Sequence, residues 1–187
     1  MYIQRENMSF DSERAERAAA ELLASFGIDT KLPELQDTPS RVAAFWAERM
    51  GGYDIDLTSE LKPIVGSIPS CPVILEHVPF VSTCEHHLAP FFGHVTIGYL
   101  PDAAGMVGLS KLIRVVHAFA NRLQVQERMT WQIFNALETY MCPKAWGVCV
   151  VAEHTCIAHR GVKTTDVPVT TILLGGLWQH DCPKAFQ

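Results

Sequence analysis

The sequence predicts an α+β fold, with an antiparallel β-sheet, two long helices on one face and an N-terminal helical part before them. Three observations predict it. Two helical patterns precede any strand-like segment. Two pairs of strand-like segments read as hairpins. Between those pairs, the chain from Ser110 to Met141 carries helical apolar spacing.

Taken in order, residues 11–26 place Ala15, Ala18, Ala19, Leu22, Leu23 and Phe26 on one helical stripe, and Gly27 follows as a C-terminal glycine. Thr38 reads as the N-cap of a second helix, with Pro39 in its first turn and Gly51-Gly52 at its end. Lys62 to Pro72 is a connection rich in turn residues. Val73 to Ser82 is strand-like, with Pro79 marking an edge or a bend. His94 to Leu100 alternates, with Val95, Ile97 and Tyr99 on one side, so these two segments pair around Cys84 to Gly93. Pro101 to Gly105 is a turn. Ser110 caps a helix whose apolar face includes Leu112, Val116, Phe119 and Leu123. A break near Val125 separates it from a second helix over 127–141. Trp146 to Glu153 and Val167 to Leu174 are strands rich in β-branched residues.

At 187 residues with 48% hydrophobic side chains, the chain can bury a core without cross-links. A net charge of −5 gives no reason to expect nucleic acid or an anionic membrane surface as a partner. The N-terminus has no apolar signal core, and no apolar run is long enough to span a bilayer. These features lead us to expect a cytoplasmic chain with its six cysteines reduced.

The densest chemistry is Cys84-Glu85-His86-His87. Cys84 and His87 have the i, i+3 spacing that lets a turn bring two ligands to one metal. His86 and His87 are neighbours whose side chains diverge, so one joins Cys84 and the other is free for proton transfer. Cys156, in His154-Thr155-Cys156, follows a second strand end. If the two strand ends sit side by side, Cys84, His87 and Cys156 make a Cys2His set for Zn2+ with an open fourth position. The bland alternative is a buried cysteine beside ordinary loop histidines, with His154 a structural hydrogen-bonder.

Ser110-Lys111-x-x-Arg114 sits at a helix start, where free N–H groups and the dipole attract phosphate. Arg160-Gly161-x-Lys163 follows the second metal cluster. These cations suit a polyphosphate beside the metal; solvated basic positions are the alternative. In Gln124 to Arg128, Glu127 offers two acceptors side by side, a match for adjacent guanine donors; a solvent-exposed helix junction also accounts for the run.

Together the stretches Asp37–Ala43, Cys84–Gly93, Gly108–Arg114, Arg122–Arg128, His154–Gly161 and the tail near Thr170–Gly175 resemble GTP cyclohydrolase I, in that family's order and over roughly residues 12–176. The resemblance implies a tunnelling fold over residues 63–187 after an N-terminal helical segment at 1–62, in a homodecamer with interfacial active sites. It implies zinc on Cys84, His87 and Cys156, with acid/base roles for His86 and His154. It places guanine on Glu127 with Gln126 beside it, and ribose and triphosphate on Ser110, Lys111, Arg114 and Arg160. The implied reaction takes GTP to 7,8-dihydroneopterin triphosphate with loss of formate. The short tail after Gly176 and the run Thr164, Thr165, Asp166, Pro168 depart from the family's pattern.

Three alternatives stand beside this expectation. One is a family variant that stops at a ring-opened intermediate or takes a modified guanine nucleotide. Another is a nitrile reductase of the same fold, with a cysteine nucleophile. The third is a non-catalytic protein stabilised by zinc.

Overall fold

Period-two burial and short turns build the sheet. The computed structural model describes residues 10–64, 71–102 and 105–187. The N-terminus before Phe10 and part of the Lys62–Pro72 connection therefore lie outside the described residues. Five strands run in the order β3-β1-β2-β4-β5, where β1 is Val73–Cys84, β2 Pro90–Leu100, β3 Leu123–Gln124, β4 Ala145–His154 and β5 Val169–Gly176. All neighbours are antiparallel except β1 and β3.

The two expected hairpins are present, β1–β2 and β4–β5, and β2 joins them by pairing with β4. Pro79 sits in β1 opposite His94, and β3 meets β1 only at Thr83–Leu123 and Cys84–Gln124. Both readings of that proline hold. The strand is an edge there, and it bends just before, where the register shifts between Leu75 and Val78 and His77 takes φ 57°. The carbonyls on that edge are occupied: His117 Nε2 donates to Pro79 O and Arg49 Nη1 to Val81 O.

Val95, Ile97 and Tyr99 are fully buried, as their alternation predicts. They face two long helices, α4 (Leu109–Ala120) and α5 (Gln126–Met141), which bury Leu112, Val116, Met129, Ile133 and Leu137 against the sheet. Cys142 ends α5 in a left-handed conformation. A smaller cluster of Ala145, Trp178 and Phe186 packs with Cys149 and Leu174 under the C-terminal tail, so the tail is docked rather than trailing.

The N-terminal helices α1 (Ser12–Ala24) and α2 (Thr38–Met50) pack on each other. Helix α2 begins one residue earlier than expected: Asp37, not Thr38, is the N-cap. A 3-10 turn, Gly51–Asp54, then presses on α4. A Cβ at Gly52 would lie 2.1 Å from Ala118 O, so only glycine permits this approach. Arg122 locks it by donating to both Gly52 O and Ala118 O. A short helix α3 (Leu57–Glu60) follows and contacts α4. Ser110 does not cap α4. The cap is Gly108, because Leu109 already has helical backbone and Ser110 lies in the first turn.

Candidate active site

The turn after β1 is built to hold Cys84 still. Its N–H donates to Ala89 O, and its carbonyl accepts from Leu88, whose φ of 51° closes the turn. Glu85 N–H donates to Gln124 O of β3. The Glu85 carboxylate also takes the Arg128 guanidinium from the first turns of α5. Arg128 further donates to Gln124 Oε1 and Leu123 O. The guanidinium holds the Glu85 carboxyl below the usual carboxylate range.

The strand ends do not sit side by side as the sequence led us to expect. The start of β2 lies between them, with Thr83 opposite Pro90 and Phe91 opposite His154. A one-turn helix α6 (Thr155–Ala158) carries Cys156 back across that gap, tied down by Thr155 Oγ1 donating to Pro90 O at 2.6 Å. Ligand atoms of Cys84, His87 and Cys156 then fall within 4.8 Å of one another. The His86 and His87 rings stand 6.3 Å apart at 80°, and exposed His86 lies 3.8 Å from Glu85 with its Nδ1 3.9 Å from Cys84 Sγ.

This donor set fits a soft divalent cation. Burial, and then the neighbouring Cys84 sulfur, push the Cys156 thiol up. Two adjacent thiols resist ionising together unless a cation neutralises them. A Cys2His set is the arrangement zinc takes in catalytic sites that keep a position open.

His154 ends β4, two residues before Cys156. Its ring stacks on buried Phe91, with centroids 4.7 Å apart and planes 2° from parallel. Burial lowers its pKa, and the Glu127 carboxylate opposes that shift. Glu127 is exposed at the N-terminus of α5. Gln126 precedes it in the same first turn. Its side chain is 1% exposed and engaged with the protein, accepting at Oε1 from His154 Nε2 (2.8 Å) and donating at Nε2 to Val150 O, Val169 O and Thr171 Oγ1.

The cations divide. Arg160 reaches the metal turn, with its Nη1 2.8 Å from His87 Nε2. Lys111 and Arg114 instead turn toward α3, where Lys111 Nζ donates to Ser59 O and Arg114 pairs with Glu60. Ser110 is exposed beside them. Among the described residues, no hydrogen bond or ion pair joins Ser110, Lys111 or Arg114 to the Cys84 turn. Sequence reasoning missed the Glu85–Arg128 pair and the Phe91 stack. Glu85 was in view within its motif, but nothing in a single sequence signals a partner 43 positions away.

The family model described as GTP cyclohydrolase I matches residues 15–185. A protein of Nitrosospira multiformis named GTP cyclohydrolase 1 is 44% identical over 88% of this chain and 87% of its own. Proteins of the same name from Mycolicibacterium vanbaalenii (42% identical, 92% of this chain, 86% of theirs) and Streptococcus thermophilus CNRZ 1066 (37%, 91% and 91%) are also similar. The site geometry and these matches agree, and the chain belongs to the GTP cyclohydrolase I family.

Proposed function

We propose that this chain opens the guanine imidazole ring of GTP by hydrolysis at C8 and releases formate. An Amadori rearrangement and ring closure then give 7,8-dihydroneopterin triphosphate. The observation that carries the reading is the convergence of the Cys84, His87 and Cys156 ligand atoms at one end of the sheet, in a chain of this family.

Cys84, His87 and Cys156 would hold the zinc ion. When bound, it would act as a Lewis acid that makes a water-derived nucleophile available near neutral pH. Burial lowers the His154 pKa and so favours the neutral ring, which can take a proton from substrate and return it. His86, exposed beside Glu85, shares these transfers. Glu127 presents its carboxylate to the guanine N1–H and 2-amino group, two parallel donors for two acceptors. Arg160 faces the triphosphate from beside His87.

Ser110, Lys111 and Arg114 would serve ribose and triphosphate across a boundary between copies of the chain. Their engagement with α3, away from the Cys84 turn, favours a site completed by a neighbouring subunit, and with it a decamer with interfacial sites. The division into a helical segment at 1–62 and a tunnelling-fold catalytic domain at 63–187 belongs to the same reading. So does a cytoplasmic location, which rests on GTP as substrate and on free thiols. Among the described residues, no helix is long and apolar enough to cross a membrane.

The decisive experiment incubates purified protein with GTP and measures formate, pterin fluorescence after oxidation, and bound metal. Formate and pterin from stoichiometrically zinc-loaded protein support the proposal. Loss of GTP without pterin overturns it in favour of an enzyme that stops at a ring-opened intermediate.

A further inference from the structure

Five hydrogen-bonding contacts around Gln126 fix which way its side-chain amide points. Thr130 Oγ1 donates to Gln126 O at 2.9 Å, which uses its single hydrogen. In the 2.6 Å contact between Thr130 Oγ1 and Thr171 Oγ1, Thr171 must therefore be the donor. Thr171 Oγ1 then has only lone pairs left for the Gln126 side-chain amide, and the group 3.1 Å from it must carry hydrogen. Val150 O and Val169 O, at 3.1 and 2.9 Å from the same atom, can only accept. The amide nitrogen is thus fixed on that side, since a flipped amide would set its oxygen against two carbonyl oxygens. A directed ring runs from Gln126 Nε2 through Thr171 and Thr130 back to the Gln126 carbonyl.

With the nitrogen fixed, Oε1 is the atom that meets His154 Nε2 at 2.8 Å. An amide oxygen only accepts, so the imidazole must donate there. Turning the ring over about its Cβ–Cγ bond would set carbon rather than nitrogen against Oε1 and lose this bond. Gln126 and Thr130 are each 1% exposed, so water does not readily offer the ring a different partner.

We propose that Gln126 is a positioning residue that holds His154 in its Nε2–H tautomer, leaving Nδ1 as the lone pair through which the ring exchanges a proton with substrate. The inference rests on the acid/base role proposed above for His154. It also removes Gln126 from the set of side chains that touch the nucleotide: the residue acts through the histidine.

The test is 15N NMR of histidine-labelled, zinc-loaded protein at a pH where the ring is neutral, with the His154 signals identified by their loss in His154→Asn. The expected result is a protonated Nε2 and a bare Nδ1. In Gln126→Leu we expect a mixture of tautomers, with unchanged zinc content, kcat down about ten- to hundred-fold and KM for GTP within about three-fold. A proton on Nδ1 in the unaltered protein overturns the proposal, as does a Gln126→Leu variant with unchanged tautomer. The measurement on the unaltered protein stands even if the variant fails to fold. It also needs no GTP: a protein with the expected tautomer but no pterin product would overturn the proposed function and leave this inference standing.

Discussion

The Arg128 guanidinium on α5 grips the Glu85 carboxylate in the turn after β1, and so ties the segment carrying Cys84 and His87 to the segment carrying Gln126 and Glu127. The pair is part-buried, and Arg128 also bonds β3. Replacing Arg128 with Met keeps the stem's packing but takes the guanidinium away from Glu85. We expect a loss of about 2 kcal/mol in stability. Weaker zinc retention should accompany it, measured by chemical unfolding and by metal release to a chelator. Unchanged zinc retention would show that the turn is rigid without this clamp.

Cys156→Ser should remove metal from the protein, because a hydroxyl is a much poorer ligand for a soft cation than a thiolate. Metal analysis after gel filtration reads this directly. Chelation of the unaltered protein should likewise abolish pterin formation, and added zinc should restore it. Full activity in metal-free protein would reject the proposed chemistry.

His86 lies outside the group formed by Cys84, His87 and Cys156. His86→Ala should therefore keep stoichiometric zinc and the native assembly while turnover falls by about a hundred-fold or more. Retained turnover would count against a proton-transfer role.

If Lys111 and Arg114 act on a neighbour's nucleotide, two inactive variants should rescue each other. Mixed oligomers of His86→Ala with Arg114→Ala, formed by co-expression, should regain activity that neither has alone. No recovery in verified mixed oligomers would place the site within one chain.

Tyr99 supplies a pH prediction. Its hydroxyl is buried, accepts from Val107 N–H at 2.9 Å, and has its pKa raised chiefly by that burial. A raised folded pKa means the unfolded chain ionises first. The contribution is thus intact below the ordinary tyrosine value near 10 and is lost as pH rises from there toward the folded value. The half-buried Cys149 thiol, also raised, begins the same trend from its ordinary value of 9.0. Unfolding measured across alkaline pH should show stability falling, less steeply above pH 10 in Tyr99→Phe. At neutral pH that variant should be about 1–3 kcal/mol less stable, because Val107 N–H loses its partner.

The α+β class, both hairpins and both long helices were legible because their burial follows simple periods, as in Val95, Ile97 and Tyr99. The group that could hold a metal was legible in part, because Cys84 and His87 form a closely spaced pair while Cys156 lies in a separate motif far along the chain. What escaped was whatever depends on distant partners or on a single residue's backbone. The cap of α4 is Gly108 rather than Ser110, since a β-region φ/ψ at Gly108 leaves no trace in residue type. Strand β3 is too short to show alternation. Gln126 reads as a polar junction residue until Val169 and Thr171 of β5, 43 and 45 positions away, close over its amide.

The carbonyls of Pro79 and Val81 bear on how this chain meets others. An approaching strand grows a sheet by finding alternating donors and acceptors along an edge. On this stretch of β1 the proline supplies no donor, and His117 and Arg49 have already taken the two acceptors. That stretch is poorly suited to strand addition. Intermolecular sheet growth, whether ordered assembly or unwanted aggregation, is steered to the β5 edge and to the part of β1 before the bend.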